Sequence, residues 1–186
     1  MTFAAGNLYF TDLGPGNRSL TPAGSVVRAL SVRTGQLTTT RNGIFYGVTM
    51  TAGDIYTIAG GGTSTPDGVP ATRAAIEGGP IALDGVGNLV IGEPFAHRVL
   101  MVPATSGTFY GMPMTIADIY TIAGAGGLGF STDGTPASDA NGGRVKGLAA
   151  WGGDVVFSDM FNTRVRAVTG SGTAAPRSDR RANANR

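Results

Sequence analysis

Seven charged side chains recur at matching places along the chain, and their types and spacing could do chemistry. Asp12, Glu93 and Asp159 each close a short apolar run, and Arg98 and Arg164 follow the last two five residues later. A carboxylate and a guanidinium spaced across a turn can do one of two things. They can form a ring of charge around one mouth of the fold, suited to an anionic or peptide ligand. Or they can pair with each other and fix the loop, a task for which planar arginine is well shaped. Asp67 and Asp133 sit in Asp-Gly-x-Pro-Ala loops. Such a loop could offer a ligand or metal contact. Calcium, however, takes roughly six to eight oxygens from several groups. Asp-Gly is also common turn chemistry, in which the aspartate bonds backbone amides two residues on.

Other chemistries find less support. His97 is the one histidine, and the chain has no cysteine, whereas a zinc site needs three or four ligands. No serine stands in a Gly-x-Ser-x-Gly setting. Paired carboxylates could serve as acid and base, but nothing marks one pair above the rest. The runs Gly60-Gly61-Gly62 and Gly124-Ala125-Gly126-Gly127 follow apolar segments but open no helix, so they fail as phosphate-binding loops. The residues therefore point to no cofactor, no metal and no catalytic set.

The elements that must position these residues come as repeats. Ile44 to Gly62 and Thr108 to Gly126 are identical at thirteen of nineteen positions, at an offset of 64. Further on the offset becomes 66. Asp67-Gly68-Val69-Pro70-Ala71 then matches Asp133-Gly134-Thr135-Pro136-Ala137, and Asn88-Leu89-Val90-Ile91 matches Asp154-Val155-Val156-Phe157. A third copy opens the chain at Gly6-Asn7-Leu8-Tyr9-Phe10, without the strand that should precede it. Each unit reads as four short strands. In the second unit these are Pro80 to Asp84, Leu89 to Gly92, Arg98 to Ala104 and Ile119 to Ala123, with a hairpin-like extension over Ser106 to Ala117. Ala71 to Ile76 is the one helical hint, a single short turn. Four strands per unit without helical periodicity predict propeller blades stacked face to face. Runs such as Leu-Val-Ile-Gly suit strands covered on both faces.

Composition agrees. Glycine is 31 of 186 residues, with apolar residues at 41%, as expected for many short strands joined by tight turns. The net charge of +2 is concentrated at the end, where Arg177, Arg180, Arg181 and Arg186 face only Asp179. The remainder is near neutral, which argues against a nucleic-acid surface. No run reaches the ~18 apolar residues of a membrane helix, and the opening residues lack the pattern of a signal peptide.

The ordered series Ile-Tyr-Thr-Ile-Ala-Gly, Asp-Gly-x-Pro-Ala, Gly-Asn-Leu, an acid, then Asn-x-Arg-Val resembles NHL repeats of the long-unit bacterial form. Asp159 to Val168 carries the best copy of the last piece. The resemblance covers about residues 3 to 169. Ala96-His97 departs from Asn-x in the second unit, and Ala150 stands in the third where Asp84 stands in the second. The resemblance implies an all-β fold, a β-propeller segment of about three four-stranded blades, incomplete as a single closed ring. It puts blades at about 1–58, 59–122 and 123–170 within a region 1–172. The polar composition of 173–186 reads separately as a disordered Arg-rich tail. The resemblance also implies an exported or surface-anchored bacterial protein. Its function would be a non-catalytic binding or scaffolding module that recognises a protein, peptide or glycan through its loops. Two alternatives stay open: a metal-dependent lyase or lactone hydrolase of propeller type, and a truncated remnant without independent function. Self-association, or the missing blades of a longer chain, would complete the ring. The paired Phe45-Tyr46 and Phe109-Tyr110 would form an aromatic binding surface or pack over their own blades.

Overall fold

The structure, a computed structural model, describes residues 2–4, 7–12, 26–31, 44–51, 54–151 and 153–170. It is all-β, built of antiparallel sheets that do not close into a barrel. The Arg-rich stretch 173–186 lies outside the described residues.

The first blade holds β1 (Thr2–Ala4), β2 (Asn7–Asp12) and β3 (Val26–Ser31), then a small hairpin of β4 (Ile44–Phe45) and β5 (Val48–Thr49), and β6 (Ile55–Gly60). Its sheet order is β1-β2-β3-β6. The strand expected to be missing before Gly6 is present. Thr2–Ala4 pairs with β2, Phe3 opposite Leu8, and three residues are too few to show an alternating pattern.

The second blade is preceded by β7 (Val69–Pro70). It comprises β8 (Ile81–Leu83), β9 (Leu89–Glu93), β10 (Arg98–Val102), the hairpin β11 (Gly107–Phe109) and β12 (Met112–Met114), and β13 (Asp118–Ala123). Its order is β8-β9-β10-β13-β7. This sheet has five strands instead of four, because Val69 pairs with Ile119 on the outer edge of β13. Proline has no N–H to give a ladder and is tolerated at such an edge. The third blade comprises β14 (Val145–Trp151), β15 (Asp154–Asp159) and β16 (Arg164–Val168). Among the described residues it has three strands, not four, with β16 at the edge.

The core lies between blades. Leu89 and Ile91 of β9 and Leu100 of β10 join Tyr9, Val27 and Ile58 of the first blade. Their alternate neighbours Val90, Val99 and Met101 join Val145, Val155 and Val168 of the third. All of the second-blade residues named are fully buried. Strand alternation places successive side chains on opposite faces, so a blade covered on both sides is apolar throughout. Each such side chain contributes about 1.5–3 kcal/mol on burial. Gly92 lets the blades approach: a Cβ there would lie 2.5 Å from Val145 Cγ1. The short turn expected near Ala71 is a 3-10 turn, Ala71–Arg73, repeated at Ala137–Asp139. Among the described residues, no helix is long and apolar enough to cross a membrane.

Candidate functional site

The site begins with two buried acids at repeat-equivalent places. Glu93 ends β9 and Asp159 ends β15, and neither is exposed to solvent. Each accepts a backbone N–H from the segment that enters its own blade. Glu77 N–H reaches Glu93 Oε1 at 2.8 Å, and Gly143 N–H reaches Asp159 Oδ1 at 2.6 Å. Gly143 has no side chain for a reason: a Cβ there would lie 2.5 Å from Asp159 Oδ1.

The guanidinium partners differ between the two units. Arg98 Nε donates to Glu93 Oε2 as an ion pair. Arg164 does not take the same part, although it faces Asp159 in the strand register. Asn162 Nδ2 bonds both Asp159 oxygens, at 2.9 and 3.0 Å, and Arg166 Nη1 lies 3.8 Å from Oδ2. Arg164 turns outward instead, over the Phe130 ring at 4.2 Å. Burial pushes the Glu93 carboxyl above the usual range, and the Arg98 guanidinium and the Glu77 amide oppose this only in part.

The two loop aspartates also diverge. Asp67 Oδ1 accepts Thr121 N–H of β13 at 2.7 Å. That bond holds a backbone with φ of 139°, a conformation unusual outside glycine. Asp133 is almost wholly exposed, and its nearest ionic partner is Arg166 Nη2 at 3.7 Å. Asp12 ends β2 opposite Val26.

Of the seven residues singled out in the sequence, Arg98, Asp133 and Arg164 are brought together. They line a cleft of about 340 Å³ between the second and third blades, with His97, Asn141 and Arg166. Glu93 and Asp159 lie buried, holding the loops that shape it. Asp67 lines a separate, more open cleft with Arg98 and Tyr120, and Asp12 belongs to the first blade. Among the described residues, no group of three or more acids or histidines could hold a metal ion.

Several structural residues escaped the sequence reading. Glu77 Oε2 accepts Phe95 and Ala96 N–H at 2.7 and 3.0 Å. Asp84 and Asn88 clamp the turn between β8 and β9 through bonds of 2.8 Å. The tyrosines of the Phe-Tyr-Gly hairpins do not pack only over their own blades. Tyr46 O–H donates to Gly87 O at 2.6 Å, and Tyr110 O–H to Gly153 O at 2.9 Å. Each hydroxyl therefore latches the inner turn of the next blade. Their repetition in register was the available signal, and their partners were not.

No protein-family model matches the chain, and no curated protein matches it.

Proposed function

We propose that the chain is a non-catalytic binding module, a segment of an NHL-type β-propeller from an exported bacterial protein. It recognises a protein, peptide or glycan through its loops. One observation carries the reading. The buried acids Glu93 and Asp159 spend their bonding capacity on loop amides and side chains, and the rigid loops they hold wall the Arg98–Arg164 cleft. Pre-set loops on a stable frame are where recognition concentrates, and polar groups converging on a cleft of this size suit a ligand. The test is an array of peptides and glycans probed with the labelled full chain and with Arg164→Ala. The reading expects at least one ligand whose binding the variant weakens while circular dichroism is unchanged. Hits indifferent to that substitution, or an empty array, would count against it.

A second reading is scaffolding by self-association. Val156 and Val165 on the outer face of the third blade are 38% and 73% exposed, whereas their equivalents Val90 and Val99 in the second blade are fully buried against a neighbour. An apolar blade face of this kind suits a further blade.

A further inference from the structure

Among the described residues, the third blade lacks the outer strand that the second blade has one repeat earlier. In the second blade, β13 lies between β10 and β7, antiparallel to both. Ile119 is fully buried, and Asp67 Oδ1 receives the Thr121 N–H. In the third blade β16 is the counterpart of β10, and the loop at Asp133-Gly134-Thr135 is the counterpart of the Asp67 loop. Among the described residues, nothing pairs with the outer edge of β16. The cleft described above lies along that edge: Arg164 to Val168 form one wall, and Asp133 to Thr135, with Ala123 and Gly124, form others. The Asp133 carboxylate, which would receive the amide, stands exposed beside it.

We propose that this edge accepts an extended apolar segment of the Ile-Tyr-Thr-Ile-Ala type from outside residues 1–186, which completes the third blade as its fourth strand. The proposal rests on the reading of the chain as a binding module and names its partner. The repeat defines the chemistry of the occupant. It runs antiparallel to β16, as β13 runs to β10. It sets an apolar side chain into the cleft, as Ile119 is set in the second blade, and it presents one backbone N–H to Asp133. An exposed strand edge supplies the backbone bonds for such an addition, and pockets for alternate side chains supply selectivity. Residues 1–186 of a second copy hold no unpaired stretch of this type. Its two Asp-Ile-Tyr-Thr-Ile-Ala-Gly stretches run from Asp54 and Asp118, and both are paired as β6 and β13. Residues 169–186 contain no similar stretch.

The probe is a synthetic peptide with the sequence of residues 117–126. The control is the same peptide with both isoleucines replaced by asparagine. Calorimetry measures binding to the full chain, and hydrogen exchange follows the amides of Arg164 to Val168. The proposal expects one peptide per chain, slowed exchange at those amides, and no binding of the control. Asp133→Ala should weaken binding about tenfold, the scale of one hydrogen bond to a charged group, with an unchanged circular dichroism spectrum. No binding of the peptide, equal binding of the control, or binding that leaves those amides exchanging as before would each overturn strand donation. An array ligand that binds through Arg164 without protecting those amides would also overturn it, and would leave the loop-binding reading standing.

Discussion

At the scale of single residues, two of the charges, Glu93 and Asp159, work inward. Glu93 is the clearest case, because it is buried with Arg98 and the Glu77 amide as partners. Glu93→Ala leaves both without an acceptor, and breaking a buried pair in this way costs about 3 kcal/mol. A shifted denaturant midpoint at unchanged slope is the readout. Protonation adds a second test. The folded carboxyl sits above its ordinary value, so between the ordinary and the raised value the folded state holds a proton that the unfolded state has released. The Glu93 share of stability is therefore complete below the ordinary carboxylate range and is lost as pH rises through the raised value. Glu93→Gln should remove this loss, and melting temperatures of the two proteins across that range check it. Tyr110 offers a spectroscopic counterpart. Burial pushes its hydroxyl up to about 12, and the carboxylates of Asp84 and Asp154 add to the effect. Ultraviolet titration should show a late-ionising tyrosine that is missing in Tyr110→Phe. The same variant leaves the Gly153 carbonyl without its donor and should cost about 1 kcal/mol.

At the scale of elements, the turns explain which strands could be read from the residues. The strands of the second blade were legible because both faces are covered, so Leu89 to Ile91 and Val99 to Val102 are continuous apolar runs. The two-residue β7 was not, since Val69–Pro70 resembles a turn until its partner on β13 is known. The latches were invisible for a different reason. Tyr46 and Gly87 are 41 residues apart, and Tyr110 and Gly153 are 43 apart, beyond any local pattern. The five-residue spacing of acid and arginine was correct for Glu93 with Arg98. It failed for Asp159 because Asn162, present in the third unit where the second has Ala96, reaches the acid first. The turn between β8 and β9 gives this scale its own test. Asn88 is buried, bonds Asp84 twice and accepts the Ala104 N–H at 2.8 Å. Asn88→Ala keeps the backbone bond to Asp84 Oδ1 but leaves Asp84 Oδ2 and the Ala104 N–H without their side-chain partner, and it should lower stability by about 2 kcal/mol, read by chemical denaturation. The third unit has Ala150 and Asp154 at these places, so its inner turn lacks the clamp.

At the scale of the molecule, and among the described residues, the second blade is buried on both sides and the third on one. Val156 and Val165 stand exposed on its outer face, the face that the scaffolding reading uses. Light scattering should show a mass that rises with concentration toward twice that of the chain. Val165→Glu, at a position already 73% exposed, should hold the mass at that of one chain without loss of folding. A wild-type chain of constant single mass would remove the scaffolding reading and leave loop recognition as it was.

The tyrosine latches also give the array a direction. In both cases the hydroxyl lies upstream and the carbonyl it holds lies one blade downstream. A chain leaving the ribosome amino end first therefore has each fastening in place before the blade that needs it has emerged. Growth in that order never requires a finished blade to reopen.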